Sequence, residues 1–222
     1  MVTTVLAALL FQQTENRLTA AEVNAGWQLL FDGKTMNGWT NYKSTTVKSG
    51  WTIKDGVLKC EDPENAGDIV TKDKYDWFEL KVDVNLDKGQ NSGICFRVTE
   101  EGQTVWQSGP EVQLYDHPAE PGVEITGYLY QLYASKVDAQ RPAGEWNTLR
   151  IVVAPDKCAT YVNDVKYYEY VYGSEDFWAR VAKSKFAQYP YFAKAKEGMI
   201  ALQGDHGMVS YRNIKIRRIK AA

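Results

Sequence analysis

The nine residues Phe78–Leu86, FELKVDVNL, decide how the rest of the chain is read. Phe78, Leu80, Val82, Val84 and Leu86 share one face of an extended backbone, and Glu79, Lys81, Asp83 and Asn85 share the other. Successive strand side chains point to opposite faces, so this is a strand with one face in a core and the other in water.

Working outward, the same short alternating runs recur on both sides, separated by turn residues. Upstream lie WQLLF and the pair WTIK and VLKC, with Asp55-Gly56 between them as a hairpin signal. Downstream lie NSGICFRV, EVQLYD, GYLYQLYA, NTLRIVVA, ATYV and VKYYEY with Asn163-Asp164 between the last two, then GMIALQ and VSYRNIKIRRI. Ten or more strands joined mostly by short turns predict an all-β, antiparallel two-sheet sandwich, with a jelly-roll arrangement favoured by the size. One exception is SEDFWARVAKSKF, where Ser174 caps, Glu175 and Asp176 suit the first turn, and Lys183 and Lys185 the last; it predicts a helical insertion near 174–187. Before the sandwich, Thr19 and Glu22 form a capping box, Leu18 and Val23 a hydrophobic staple and Gly26 a stop, predicting a short helix. The expected organisation is an N-terminal segment over 1–25 and a single jelly-roll domain over 26–220.

The chain has 222 residues, 44% of them hydrophobic, enough to bury a sizeable core. Its formal charge of −2 offers no electrostatic reason for a nucleic acid or an anionic membrane as partner, which favours a small uncharged one. The aromatic share, 13%, serves sandwich cores and sugar platforms alike. Three cysteines cannot all pair, and none stands at metal-ligand spacing. The apolar stretch Val5 to Phe11 reads as a trimmed or degenerate export signal, implying a periplasmic or secreted protein, or else as a surface segment. No later apolar run reaches the roughly 20 residues that span a bilayer.

Strand parity then nominates a site on an outer sheet face. In EVQLYD, Val112 and Leu114 point inward, so Glu111, Gln113 and Tyr115 point out, with Asp116 and His117 at the strand end. In NSGICFRV, Ile94, Phe96 and Val98 fit the core, which puts Cys95 and Arg97 on the opposite face, after Asn91-Ser92-Gly93. Arg97 would lie alongside Glu111 if the strands neighbour each other; a surface ion pair is the plain alternative. In GYLYQLYA, Tyr128 and Tyr130 share one face and Gln131 and Tyr133 the other, and either set can line a sugar site. Asp205-His206 stands between Gly204 and Gly207, glycines that allow positive φ and so can turn the pair out of the strand direction. An imidazole beside a carboxylate suits a general base or metal ligand; an Asp-capped turn with an incidental histidine is the alternative. Arg212 shares parity with Ile214 and Ile216, which turns it inward unless a carboxylate pairs with it.

There is no G-x-S-x-G elbow, phosphate loop, dinucleotide fingerprint or H-E-x-x-H motif, so any catalysis rests on carboxylates, His206 or His117, with or without an oxygen-liganded metal. No cofactor is required by the sequence; a divalent metal ion is compatible with it.

In order, GWQLLFDGKTMNGW, GWTIKDGVLKC, NSGICFRV, EVQLYD, PAGEWNTLRIVV, YVNDVKYYEY, GSEDFWARVAKSKF and IALQGDHGMVSYRNIKIR resemble the 3-keto-disaccharide hydrolase domain family over about residues 26–219. The resemblance implies a concanavalin A-like jelly roll, cleavage of glycosides oxidised at carbon 3, and a 3-keto-glycoside as partner. It also implies a pocket of Glu111, Gln113, Asp116, Asn91, Arg97, Asp205 and His206. Where the family pattern reads LQDHGDPV, this chain carries an extra Gly204 and has Met208 in place of a second acid. The implied chemistry is proton removal from carbon 2, acidified by the ketone, followed by loss of the aglycone from carbon 1 and addition of water. His206, oriented by Asp205, is then the base, Glu111 or Asp116 the acid or a metal ligand, and Arg97 or the ion the partner of the enolate oxygen; His206 and Glu111 can exchange roles. The rival reading is a non-catalytic carbohydrate-binding module, which needs aromatics and amides rather than a convergent Arg, Glu and His.

Overall fold

A computed structural model describes residues 15–120 and 122–220. The apolar stretch Val5 to Phe11 lies outside the described residues.

The strand at Phe78–Leu86, β6 in chain order, sits in a two-sheet arrangement that its alternation foretells: Leu80, Val82 and Val84 are buried and Lys81, Asp83 and Asn85 half-buried. The larger sheet also contains β1 (Trp27–Leu29), β3 (Trp51–Lys54), β4 (Val57–Cys60), β9 (Asn147–Val153), β10 (Cys158–Val162), β11 (Val165–Tyr170) and β13 (Val209–Arg218). Its order is β11-β10-β9-β6-β13-β4-β3, with β1 also on β13. The smaller sheet runs β2-β5-β12-β7-β8, built from β2 (Trp39–Asn41), β5 (Ile69–Thr71), β12 (Met199–Leu202), β7 (Asn91–Val98) and β8 (Glu111–Tyr115). Every pairing among these strands is antiparallel. The core fills the space between the sheets, with Leu80, Val82, Leu149, Ile151, Tyr211 and Ile216 from one meeting Ile69, Ile94, Phe96, Val112, Leu114 and Leu202 from the other. Each such side chain contributes about 1.5–3 kcal/mol relative to exposure.

Both predicted hairpins form. Asp55 and Gly56 have φ of +52° and +79°, and Asn163 and Asp164 of +49° and +66°, the left-handed pairs that match the twist of two-residue hairpins. The capping box at Thr19 is complete and opens α1 (Ala20–Asn24). Its expected staple is not buried, because Val23 is 58% exposed. A short α2 (Pro63–Ala66) precedes β5. The helical insertion forms in two pieces: α3 (Glu175–Lys183), capped by Ser174 Oγ accepting from Phe177 N–H, and a 3₁₀ turn over Lys185–Gln188. Ser184 breaks the two with an extended backbone and caps the second, accepting from Phe186 N–H.

GYLYQLYA is not a strand. Gly127 and Gln131 adopt φ of +92° and +59°, and Leu129 and Tyr133 bond to each other through both backbone pairs, closing a tight loop against Val112. Parity fails at two bulges. Register shifts between Met199 and Ala201 opposite Cys95 to Val98, and Arg97 there has φ +53°. Register also shifts between Arg212 and Lys215, where Asn213 has φ +52°. An extra residue in one strand reverses the facing of the residues beyond it. Arg212 therefore stays outside, paired with Glu15 and Asp83 and stacked on Trp146, while Ile214 and Ile216 reach the core.

Candidate active site

On the smaller sheet the residues facing away from the core are Val70, Cys95, Val98, Met199 and Ala201, which cluster separately from the main core. Toward one end this outer face turns polar. Glu111 pairs across from Cys95 and Gln113 from Gly93, so their side chains rise beside β7 on that face. Gly93 supplies the space: a Cβ there would sit 2.3 Å from Glu111 Oε1 and 2.7 Å from Gln203 Oε1. The Glu111 carboxylate and the Gln203 carboxamide thus close over a bare stretch of strand. Gln203 is itself pinned through its backbone, with N–H to Gly93 O at 3.0 Å and its carbonyl accepting from Ser92 Oγ at 2.9 Å.

Beyond Gln203 the chain leaves β12 and presents Asp205 and His206. Neither flanking glycine has positive φ, which corrects the sequence expectation. They are glycines for want of room. A Cβ on Gly204 would meet Gly67 O at 2.4 Å and the Trp51 ring at 2.7 Å, and one on Gly207 would meet Asn91 O and Gln90 Oε1, each at 2.8 Å. Gly204 is thereby pressed against the segment before β5: its N–H donates to Asp68 Oδ1 at 3.2 Å, and its carbonyl accepts from Cys60 Sγ at 3.2 Å. That segment is fixed in turn by Trp51 Nε1 donating to Gly67 O at 2.8 Å. With no side chain at Gly204, the Asp-His turn can lean onto Asp68.

Three carboxylates then act on one imidazole through their charge, Asp205 in direct contact with it. Asp205 is hydrogen-bonded to His206 Nδ1, and its carboxylate stands near enough to Asp68 for each to shift the other. The Asp205 contact raises the His206 pKa above the usual imidazole value, against partial burial and helped by Asp205, Glu111 and Asp68 charge. The same bond lowers Asp205. Burial, then the nearby Asp205 charge, pushes Asp68 up to about 7. Burial likewise pushes Glu111 up to about 7, opposed by the positive charges of Lys185 and His206. Desolvation disfavours a carboxylate unless cations compensate, and here compensation is partial.

Of the residues expected from sequence, His206, Asp205, Glu111, Gln113, Asn91 and Tyr130 share this end of the outer face. Asn91 lies under Gly207 and leaves its buried Oδ1 without a partner among the described residues. Tyr130 donates its backbone N–H to Glu111 O at 2.9 Å. Two expectations are corrected. Arg97 is turned by its bulge away from Glu111: it is buried, donates from Nε and Nη2 to Asp76 O at 3.1 and 2.9 Å, and lies between Trp77 and Tyr172. Asp116 caps the β6–β7 turn, accepting from Gly89 N–H at 2.8 Å. His117 stacks on Tyr115 instead of joining the cluster.

Sequence reasoning missed Asp68, Gln203 and Lys185. A polar residue immediately outside an apolar strand, as in Asp68-Ile69-Val70 and Leu202-Gln203, was the available signal for the first two. Among the described residues no group of three or more His, Cys, Asp or Glu side chains converges at metal-ligand spacing. Asp68 and Asp205 each take part in a hydrogen bond, Asp68 with Gly204 N–H and Asp205 with His206 Nδ1. What the arrangement can do is hold an acid and a base at one end of the sheet: a carboxyl pushed up to about 7 and an imidazole whose charged form is favoured.

Residues 26–217 match the family model of the 3-keto-alpha-glucoside-1,2-lyase-like domain. A 3-keto-disaccharide hydrolase from Bacteroides thetaiotaomicron is 30% identical, the match covering 86% of this chain and 78% of the relative. A crystal structure from Parabacteroides distasonis ATCC 8503, provisionally named a glycosyl hydrolase, superposes with a TM-score of 0.83 at 29% identity, covering 93% of this chain and all of that one. The carbohydrate binding module CBM66 from Bacillus subtilis superposes with a TM-score of 0.51 at 13% identity, over 81% of this chain and 95% of its own, a likeness of fold alone.

Proposed function

Because the chain belongs to the 3-keto-alpha-glucoside-1,2-lyase-like family and is thus a glycoside-active protein resembling 3-keto-disaccharide hydrolases, we propose that it cleaves 3-keto-glycosides by proton abstraction at carbon 2. The observation that carries the reading is the pairing of Glu111, buried over Gly93 and pushed up to about 7, with the Asp205-held imidazole of His206. A desolvated carboxylate near 7 is a strong base for its operating pH, and an imidazole whose charged form is favoured is a ready acid. Of the two assignments the sequence left open, these electrostatics favour Glu111 as the base and His206 as the acid.

The Glu111 carboxylate takes the carbon-2 proton, and the C–H electron pair becomes the enolate of the 3-ketone. The enolate collapses to a carbon 1–carbon 2 double bond as the carbon 1–oxygen bond breaks, and the departing oxygen takes the proton from His206. Water can then add back: His206 accepts its proton, hydroxide bonds to carbon 1, and Glu111 returns its proton to carbon 2. The sum is hydrolysis, and both side chains return to their starting states. Asp205 and Asp68 hold the imidazole charged before the first half, and Gln203 orients the Glu111 carboxylate. Unlike an oxocarbenium mechanism, this one sets no fixed carboxylate separation.

The test compares a 3-keto-α-glucoside with its unoxidised parent, each deuterated at carbon 2. Loss of deuterium and release of aglycone from the keto form alone, both abolished in Glu111→Gln, support the reading. Equal attack on the unoxidised parent refutes it. Binding of the sugar without turnover favours a non-catalytic carbohydrate-binding module, a fold shared with the Bacillus subtilis protein.

A further inference from the structure

The enolate step moves negative charge from the base onto the carbon-3 oxygen, two bonds from the carbon that loses its proton. A cation at that oxygen must therefore stand within a few ångströms of Glu111, and preorganised charge there is what lowers the barrier. Arg97 does not serve, since its guanidinium is buried away from Glu111 and donates from Nε and Nη2 to Asp76 O. Arg180 is also engaged, by Asp176 and Leu132 O.

Lys185 is placed differently. Ser184 breaks the chain out of α3, and the Lys185 backbone N–H is anchored to Gln131 Oε1 at 2.9 Å. Its ammonium lies 4.4 Å from the ring centres of both Trp106 and Tyr130, and 5.4 Å from that of Phe186. Tyr130 is the residue whose backbone bonds Glu111, so one side of the aromatic clamp is tied to the strand that carries the carboxylate. Of the charges acting on Glu111, that of Lys185 is the strongest, ahead of His206. Ring faces hold a cation without neutralising it, leaving its N–H donors for an incoming oxygen.

We propose that Lys185 is a catalytic residue whose ammonium, clamped between Trp106 and Tyr130, binds the carbon-3 oxygen of the substrate and carries the enolate charge. This rests on abstraction of the carbon-2 proton by Glu111. It agrees with a 3-keto substrate: the oxygen facing Lys185 must be a carbonyl, because a hydroxyl at carbon 3 cannot take up the charge.

The experiment measures carbon-2 hydrogen exchange in deuterated water and aglycone release from a p-nitrophenyl 3-keto-α-glucoside, for wild type, Lys185→Met and Lys185→Arg. Methionine keeps the apolar stem against the rings and removes the charge. Lys185→Met is expected to lose about 10²–10³-fold in kcat with KM within about threefold, the cost of one oxyanion donor. Exchange should fall in parallel and Lys185→Arg should recover part of both. Lys185→Gln repeats the comparison if the methionine variant does not fold. Wild-type exchange in the neutral variants overturns the proposal while leaving the carbon-2 reading intact. A KM increase with unchanged kcat overturns it too, by making Lys185 a binding group only. Absence of exchange in wild type that still releases aglycone overturns both.

Discussion

Replacing Gly93 by alanine tests the position of the base more sharply than removing it. Gly93 lies within β7, its φ outside the left-handed region, so alanine fits the backbone. The new methyl would stand 2.3 Å from Glu111 Oε1, 2.8 Å from Glu111 Cδ and 2.7 Å from Gln203 Oε1. Ordinary contact is roughly 3.5 Å, so the carboxylate must retreat by about 1 Å and Gln203 by slightly less. What yields is the ends of two side chains, and overpacking of that kind costs about 1–2 kcal/mol, or about 2–8 °C in Tm for a chain of this size. Catalysis should suffer far more, because a misplacement of about 1 Å at a reacting group costs on the order of 100-fold. The assay is kcat and KM on a 3-keto-α-glucoside beside calorimetric Tm. A Gly93→Ala protein turning over within about threefold of wild type would show that the Glu111 carboxylate over Gly93 is not where the proton is taken.

Two further outcomes rest on burial. Glu111 holds its proton up to about 7 when folded, against an ordinary 4.5; the folded state therefore binds the proton more tightly, and stability contributed below about pH 4 is lost as pH rises through 7. That difference corresponds to about 3 kcal/mol at most, so Glu111→Gln should melt with wild type at pH 4 and above it at pH 8, and equal Tm values at pH 8 would contradict the buried placement. Arg97→Met, by contrast, leaves Asp76 O without its charged donor and should cost roughly 2–3 kcal/mol in denaturant unfolding, with kcat/KM per folded molecule unchanged; a selective loss of activity would return Arg97 to the site.

Parity made most of the sandwich legible. The alternation in FELKVDVNL, NTLRIVV and EVQLY told which side chains enter the core, because strand facing is local and has a period of two. The same rule found Glu111, and the compact GDHG turn found His206. It failed at Arg97 and Arg212, where bulges insert one residue and invert the count, and at GYLYQLYA, whose alternation belongs to a closed loop.

What the sequence by itself determined, then, is the class of fold, both hairpins, and the pair of groups that could exchange protons. Tertiary structure alone decided which charges act on them. Asp68 stands just before β5, Gln203 just after β12 and Lys185 after α3, and they meet Glu111 only because the smaller sheet and the break at Ser184 bring those strands and that turn together. Burial and field depend on such distant neighbours, so the proton affinities that separate base from acid could not be read along the chain.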